Sequence, residues 1–409
     1  MEDKFDTFEK EIELFGSDYH KERYLEEDVE PPSYKNKIPL GRNPDTGEVK
    51  WIDMNDDDRW SIIGRTGSGK TWTIKEMVSR FWEGGMGVLH LSDVKNDFAN
   101  ISHGDGIQKD RMNLLKNEKR TPIPVNMYVP KFLEGDYFNG VPTSDHFHTF
   151  SYSISDLSES DFLQLLQADS TSARNIAIAL YEQVEEGEAD NITDLINFLE
   201  EDESMEDVNT MSKRSMKSTL ESIKKQGVVS NRGNKEPLDN INDSVCVIAF
   251  ENYDKYKRKS LSKLELQISI TIRKLLDKIR ENKVEKEQIL IVVDEAHAFA
   301  GDKSELSTED ITDAVDLGRA YGLPMVFLTQ KYTDLSSGIR TQCNKFLLSQ
   351  NVTVEERRTV LKEAGHYQTG DHSRGKWQRL FSSMNKHEWL YVDNQEYYKV
   401  KPLSPLCKD

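Results

Sequence analysis

The stretch Gly64-Arg65-Thr66-Gly67-Ser68-Gly69-Lys70-Thr71 constrains this chain more than any other. It satisfies the pattern G-x-x-x-x-G-K-[ST] in full. RWSII before it reads as an apolar strand, and the segment after it has helical spacing and stops at Gly84 and Gly85. Strand, glycine loop and helix in that order make a phosphate cradle. The glycines let successive backbone N–H groups turn toward one anion, and the helix N-terminus adds partial positive charge. The pattern predicts that Lys70 reaches the β- and γ-phosphates and that the Thr71 hydroxyl ligates Mg2+. ATP and Mg2+ are therefore the expected cofactors. A chance glycine turn would account for neither the flanking strand nor the helix.

A phosphate cradle of this kind needs an acid at the end of a neighbouring buried strand to hold Mg2+ through water. ILIVV, residues 289–293, runs directly into Asp294 and Glu295. Asp294 is the expected Mg2+ partner. Glu295 is the expected group that orients or deprotonates an attacking water. The alternative is that the two acids only cap the next helix. His297 has two readings, as a sensor of the γ-phosphate or as a packed imidazole.

Further along, short apolar runs alternate with helical patterns: VLHLSD at 88–93, SVCVIAF at 244–250, MVFLTQ at 325–330 and KFLLSQ at 345–350. Such alternation predicts a buried, parallel-dominated sheet and an α/β fold. IPLGRNPDTGEVKWID predicts a hairpin with its turn at NPDTG, and HEWLYVDNQEYYKV a late hairpin. Between about 101 and 243 the pattern changes to helical spacing broken by acidic tracts. The expected organisation is a charged N-terminal arm at 1–37 with a short helix at 3–15, and a core formed by 38–100 and 244–409. The segment 101–243 is expected to be a mostly helical insertion.

Composition narrows the partners. The 409 residues carry a formal charge of −18, so a contact with nucleic acid has to come from local basic patches. Two candidates stand out. One holds Lys213, Arg214, Lys217, Lys224, Lys225, Arg232 and Lys235. The other holds Lys255, Lys257, Arg258, Lys259 and Lys263, with tyrosines interleaved. Each is either a phosphate-binding loop or a solvated helix face. The three cysteines are far apart and suggest neither a disulfide framework nor a zinc site. No apolar run approaches the roughly 20 residues of a membrane helix. The expected location is the cytoplasm, or the host cytoplasm if the protein is viral, with no membrane insertion.

DEAH at 294–297 is also the signature of a helicase class, but those enzymes carry a Ser-Ala-Thr motif and a Q-x-x-G-R-x-G-R element, and neither occurs here. The segment downstream of Glu295 has another character. GRAYGLPMVFLTQ, KYTDLSSGIRTQCN, DEAHAF, SDVKNDF and the approach segment IPLGRNPDTGEVKWIDM together resemble the HerA/FtsK superfamily of DNA-pumping ATPases, most of all its HerA-like branch. The resemblance covers roughly 38–100 and 244–350. It implies a RecA-like P-loop NTPase core and a homo-oligomeric ring, expected to be a hexamer. It also implies that Gln330 contacts the γ-phosphate or the water. Arg319, or alternatively Arg340, would be the arginine that reaches a neighbouring subunit's nucleotide. Arg59 resembles another arginine of the family, and Asp93 and Asn96 fall where an acid and a polar residue are common. The sequence departs from the family where Asn96 replaces a frequent glycine and where Lys331-Tyr332 replaces a frequent Arg-Pro. The stretch ahead of the P-loop is too short for the β-barrel of cellular HerA proteins.

The resemblance implies an Mg2+-dependent ATPase that translocates double-stranded DNA in pumping, genome packaging or end processing, with a nuclease, capsid or secretion partner. The alternatives are a DNA-independent secretion or conjugation assembly ATPase acting on protein partners and, less favoured, a DEAH-type unwinding helicase.

Overall fold

The computed structural model describes residues 37–93, 98, 123–133, 146–205, 208–230, 236–250, 261–302, 305–367 and 371–403. The expected arm and its short helix lie outside these residues. Among these residues, twelve of the fourteen strands form one sheet. In chain order the strands are β1 (Lys37–Arg42), β2 (Val49–Asp53), β3 (Arg59–Ile63), β4 (Gly87–Asp93), β5 (Val125–Pro130), β6 (Phe147–Phe150), β7 (Tyr152–Ser153), β8 (Val229–Ser230), β9 (Val245–Ala249), β10 (Ile289–Val293), β11 (Met325–Thr329), β12 (Lys345–Ser349), β13 (Trp389–Val392) and β14 (Tyr397–Pro402). The order across the large sheet is β2-β1-β14-β13-β12-β3-β11-β10-β4-β9-β5-β6.

The eight strands from β12 to β6 are mutually parallel. Strands of a parallel sheet covered on both faces must be apolar on both sides, and β3, β9, β10 and β11 are buried at every position. The remaining four strands are antiparallel and extend the β12 edge: β13 and β14 form the late hairpin, and β1 and β2 the early one. The turn at NPDTG closes as expected, with Asn43 Oδ1 accepting from Asp45 N at 2.9 Å and Gly47 N donating to Asn43 O at 2.8 Å.

The boundaries set for the insertion need correction, because β5 and β6 come from 101–243 yet lie within the sheet beside β9. VNMYVP is a six-residue apolar run whose one polar side chain, Asn126, donates to Ser244 Oγ at 2.7 Å. Helical spacing in the flanking segments hides so short a strand. The helices of this region are Glu159–Leu165, Thr171–Glu185, Ile192–Glu201 and Thr210–Gln226. The first of them packs on the helix Leu261–Arg280 of the core, and the others pack on one another. Charges clamp the contact: Arg273 pairs with Asp161 and, at 2.9 Å, with Asp310, and Lys274 lies 2.8 Å from both Asp156 and Glu236.

Because the parallel strands share one direction, their carboxyl ends converge on one edge. β3 ends at the glycine loop, β10 at Asp294, β11 at Gln330, β4 at Asp93 and β12 at Ser349. Open α/β sheets place their ligand sites along this edge.

On the antiparallel side the backbones approach closely. A Cβ added at Gly41 would lie 2.2 Å from Lys401 O. Gly41→Ala is expected to pry β1 from β14 and to cost about 1–3 kcal/mol, read as a lower midpoint in chemical denaturation.

Candidate functional site

The glycine loop joins β3 to the helix Lys70–Glu83. Gly67 (φ 77°) and Gly69 (φ 95°) hold left-handed backbone, which side chains rarely adopt. Gly64 is fixed by crowding instead: a Cβ there would lie 2.4 Å from Ser68 Oγ and 2.7 Å from Ser349 Oγ. A Cβ on Gly67 would meet nothing within 4 Å, so the cradle is open on that side. The first turn of the helix carries no acid to offset its N-terminal charge. Lys70 is buried and its Nζ donates to Gly64 O at 2.5 Å. Ser68 Oγ is buried with no hydrogen-bond partner among the described residues. A buried hydroxyl left without a partner is costly, and an anion on the loop would supply one.

Asp294 and Glu295 follow β10, and Glu295 adopts the left-handed region (φ 44°), uncommon for a non-glycine residue. That turn sends the two carboxylates in different directions. Glu295 Oε1 and Oε2 accept from Gln330 Nε2 at 3.1 and 3.3 Å, and Gln330 Oε1 accepts from Thr66 Oγ1 at 3.4 Å. One glutamine, at the end of the strand between β3 and β10, thus connects the acid to the phosphate loop. His297 Nδ1 lies 3.4 Å from Glu295 Oε2, beside the acid.

Enclosure of the Asp294 carboxyl, with the charges of Glu295 and Asp93 nearby, pushes it up to about 7, opposed by Lys70 and a backbone hydrogen bond. Three acids around one lysine leave the pocket short of positive charge. That deficit, the Ser68 hydroxyl and the open cradle fit a bound nucleotide and divalent cation. Among the described residues no group of three or more His, Cys, Asp and Glu side chains could hold a metal ion by itself.

Several neighbours were not evident in the sequence. Ser92 has φ 64° where β4 slips register against β9, and its hydroxyl donates to Asp294 O at 2.7 Å. Ser349 Oγ donates to Asn351 Oδ1 at 2.6 Å, and the same oxygen accepts from Arg65 N at 3.3 Å. The string SQN directly after an apolar strand was the available signal. Asp93 is buried and accepts from Phe98 N at 3.0 Å, while Asn96 lies outside the described residues.

The arginines are elsewhere. Arg59 begins β3, at the amino edge of the sheet, and donates to the carbonyls of Asp56 (3.0 Å), Asp58 (2.9 Å) and Val315 (2.8 Å). In this chain it ties strand to helix and does not face the phosphate loop. Arg319 lines a cavity of about 330 Å3 with Asn55, Asp56, Asp57 and Gln288 on that same amino edge. Arg340 Nη1 donates to Thr333 O at 3.0 Å, and its Nε lies 3.9 Å from Glu363. The structure thus brings the loop, Asp294, Glu295 and Gln330 together and leaves Arg319 and Arg340 apart from them.

A family model described as "Helicase HerA, central domain" matches residues 40–265, more than half of the chain. The chain belongs to the HerA central-domain family. Its ATPase nature and its nucleotide chemistry accord with the site above. No curated protein matches this HerA-type chain. Among solved structures it is similar to VirB4 of Thermoanaerobacter pseudethanolicus, at 14% identity and a TM-score of 0.55, over 89% of this chain and 96% of that one. It is also similar to the plasmid coupling protein TrwB in complex with the non-hydrolysable GTP analogue GDPNP, at 11% identity and a TM-score of 0.50, over 86% and 88%. At these identities the likeness concerns the fold. No described helix is long and apolar enough to cross a membrane.

Two outcomes are expected. Below about 7 Asp294 binds a proton that Mg2+ must displace, so Mg2+–ATP affinity should strengthen about tenfold per pH unit up to that point and level off above it. In the nucleotide-free protein the sign is opposite. The raised group favours the fold at low pH, and that contribution is lost as pH rises from about 4 through about 7. Asp294→Asn should flatten both profiles, measured by nucleotide titration and thermal denaturation.

Proposed function

We propose that this chain is an Mg2+-dependent ATPase that moves double-stranded DNA as a homo-oligomeric ring. The observation that carries the catalytic half is the Thr66–Gln330–Glu295 connection, which couples the phosphate loop to the acid through hydrogen bonds. The amides of Gly64–Lys70 would hold the phosphates. Thr71 and Asp294 would hold Mg2+, which when bound neutralises charge on the transferring phosphoryl group. Glu295 would take the proton of the attacking water. Gln330 would exchange its bond to Glu295 for one to that water or the γ-phosphate.

Membership of the HerA family supports the motor reading, and so does the placing of Arg319. A group on the amino edge cannot serve the phosphate loop of its own chain, whereas a ring presents it to a neighbour. Arg319 is therefore favoured over Arg340, whose guanidinium is already engaged by Thr333 and Glu363. An arginine in that position would stabilise charge as the bond to the γ-phosphate breaks.

For DNA, Lys217 pairs with Glu200 and Lys224 donates to Thr193 Oγ1 at 2.8 Å, so both are partly committed. Arg214 and Lys225 are exposed on the same helix. Lys263 contacts Gln226. Arg232, Lys235, Lys255, Lys257, Arg258 and Lys259 lie outside the described residues. The second reading is an assembly ATPase working on proteins in conjugation or secretion, and the fold likeness to the plasmid coupling protein TrwB supports it. A capsid, nuclease or secretion partner would set which task the motor serves.

Steady-state hydrolysis separates the two. Double-stranded DNA should raise the rate several-fold, Glu295→Gln should bind ATP yet lose about 100-fold or more of kcat, and Arg214→Glu with Lys225→Glu should reduce the stimulation while sparing basal turnover. Hydrolysis indifferent to DNA over a range of salt would favour the assembly ATPase. Arg319→Ala should abolish turnover, and mixing it with Lys70→Ala should restore part of the activity, because one subunit supplies what the other lacks.

A further inference from the structure

One exposed side chain at the glycine loop belongs to a distant part of the chain. A Cβ added at Gly69 would lie 3.2 Å from His387 Nδ1. Gly69 is the last residue before Lys70, where the loop backbone must come closest to a phosphate. The imidazole therefore borders the phosphate cradle itself.

The turn that presents it is held by several hydrogen bonds. Glu388 is buried and its carboxylate accepts from Asn385 N at 2.8 Å and from Asn385 Nδ2 at 2.9 Å, while Glu388 N donates to Asn385 O at 3.1 Å. Gln350 Nε2 donates to Met384 O at 2.5 Å, which ties the turn to the end of β12. Trp389, the first residue of β13, pairs with Ser349 of β12. The turn is thus anchored to the same strand end that supports Gly64. Within it His387 has φ 67° and is exposed. Histidine is commoner in this left-handed region than most residues, but glycine or asparagine would hold it with less strain.

We propose that His387 is a nucleotide-binding residue whose ring N–H donates to the phosphate chain of a nucleoside triphosphate held on the Gly64–Thr71 loop. This rests on the reading of that loop as a nucleotide site. The contact ties β13 and the late hairpin to the nucleotide, so the carboxyl-terminal part of the fold senses whether phosphate is present. A ring at the phosphates differs from a ring under the base in one measurable way: it weakens ATP, GTP and ADP together and leaves their ratios unchanged.

The test is equilibrium binding of ATP, ADP and GTP to the full chain by displacement of a fluorescent nucleotide, using the wild type, His387→Gly and Lys386→Ala. Glycine suits φ 67°, so His387→Gly should melt at the same temperature as the wild type or higher without nucleotide, while affinity for all three nucleotides falls on the order of tenfold. Lys386→Ala, which removes the neighbouring exposed charge but not the ring, should bind as the wild type does. Three results would overturn the proposal: unchanged affinity in His387→Gly, a changed ratio of ATP to GTP affinity, or an equal loss in Lys386→Ala. If the wild type itself binds no nucleotide, the reading of the loop falls, and the proposal with it. If His387→Gly melts lower, His387→Asn, which also suits the backbone, should reproduce the tenfold loss with normal melting; failure to do so would equally overturn the proposal.

Discussion

Crowded carboxylates at the end of a buried strand are the constraint around which the site is organised. Glu295 and Asp93 lie close enough to raise the proton affinity of Asp294, opposed by Lys70 and a backbone hydrogen bond. Such an arrangement is unfavourable without a cation. The chain adds a further cost, left-handed backbone at Ser92 near the end of β4 and at Glu295 just beyond the adjacent β10. Strain of this kind persists where the surrounding structure over-determines it. Here the surroundings are a parallel sheet whose buried strands leave the carboxyl edge little freedom.

The same sheet explains how the parts cooperate. β11 stands between the phosphate-loop strand and the strand of the acids, so whatever ends β11 lies between loop and acid. In this chain it is Gln330, with both ends of its amide in use. A movement of Gln330 toward a phosphate must therefore release Glu295 or Thr66. This is a local, two-position element of the sort that couples ligand state to geometry. The likeness to VirB4 shows that the fold is shared at low identity, while the job done by the fold is argued from the site.

Much of this was legible in the sequence because local signals agreed with one another. A glycine loop with a strand before it and a helix after it has few other structural solutions, and β10 is an unbroken apolar run. The helix end at Gly84 was marked by the pair of glycines. Less was legible where meaning depends on distant partners. β5 is six residues long and sits among helical patterns, so its place beside β9 is a tertiary fact. Arg59 resembled another arginine of the family, but three backbone carbonyls, one of them 256 residues away at Val315, hold it at the amino edge of the sheet. Ser349, Asn351 and His387 lie at the loop from positions some 280 to 320 residues downstream, and no local pattern records that placing for His387.

The central claim is that Gln330 and Glu295 act as one hydrolytic unit on a nucleotide seated in the Gly64–Thr71 loop. The most direct measurement is an experimental structure of the chain with Mg2+ and a non-hydrolysable ATP analogue. The account predicts phosphates on the loop amides, Asp294 facing the metal through water, and Gln330 Nε2 withdrawn from Glu295 toward the γ-phosphate or the attacking water. A nucleotide bound in the loop with the Gln330–Glu295 bonds unchanged and no water held by either side chain would contradict it.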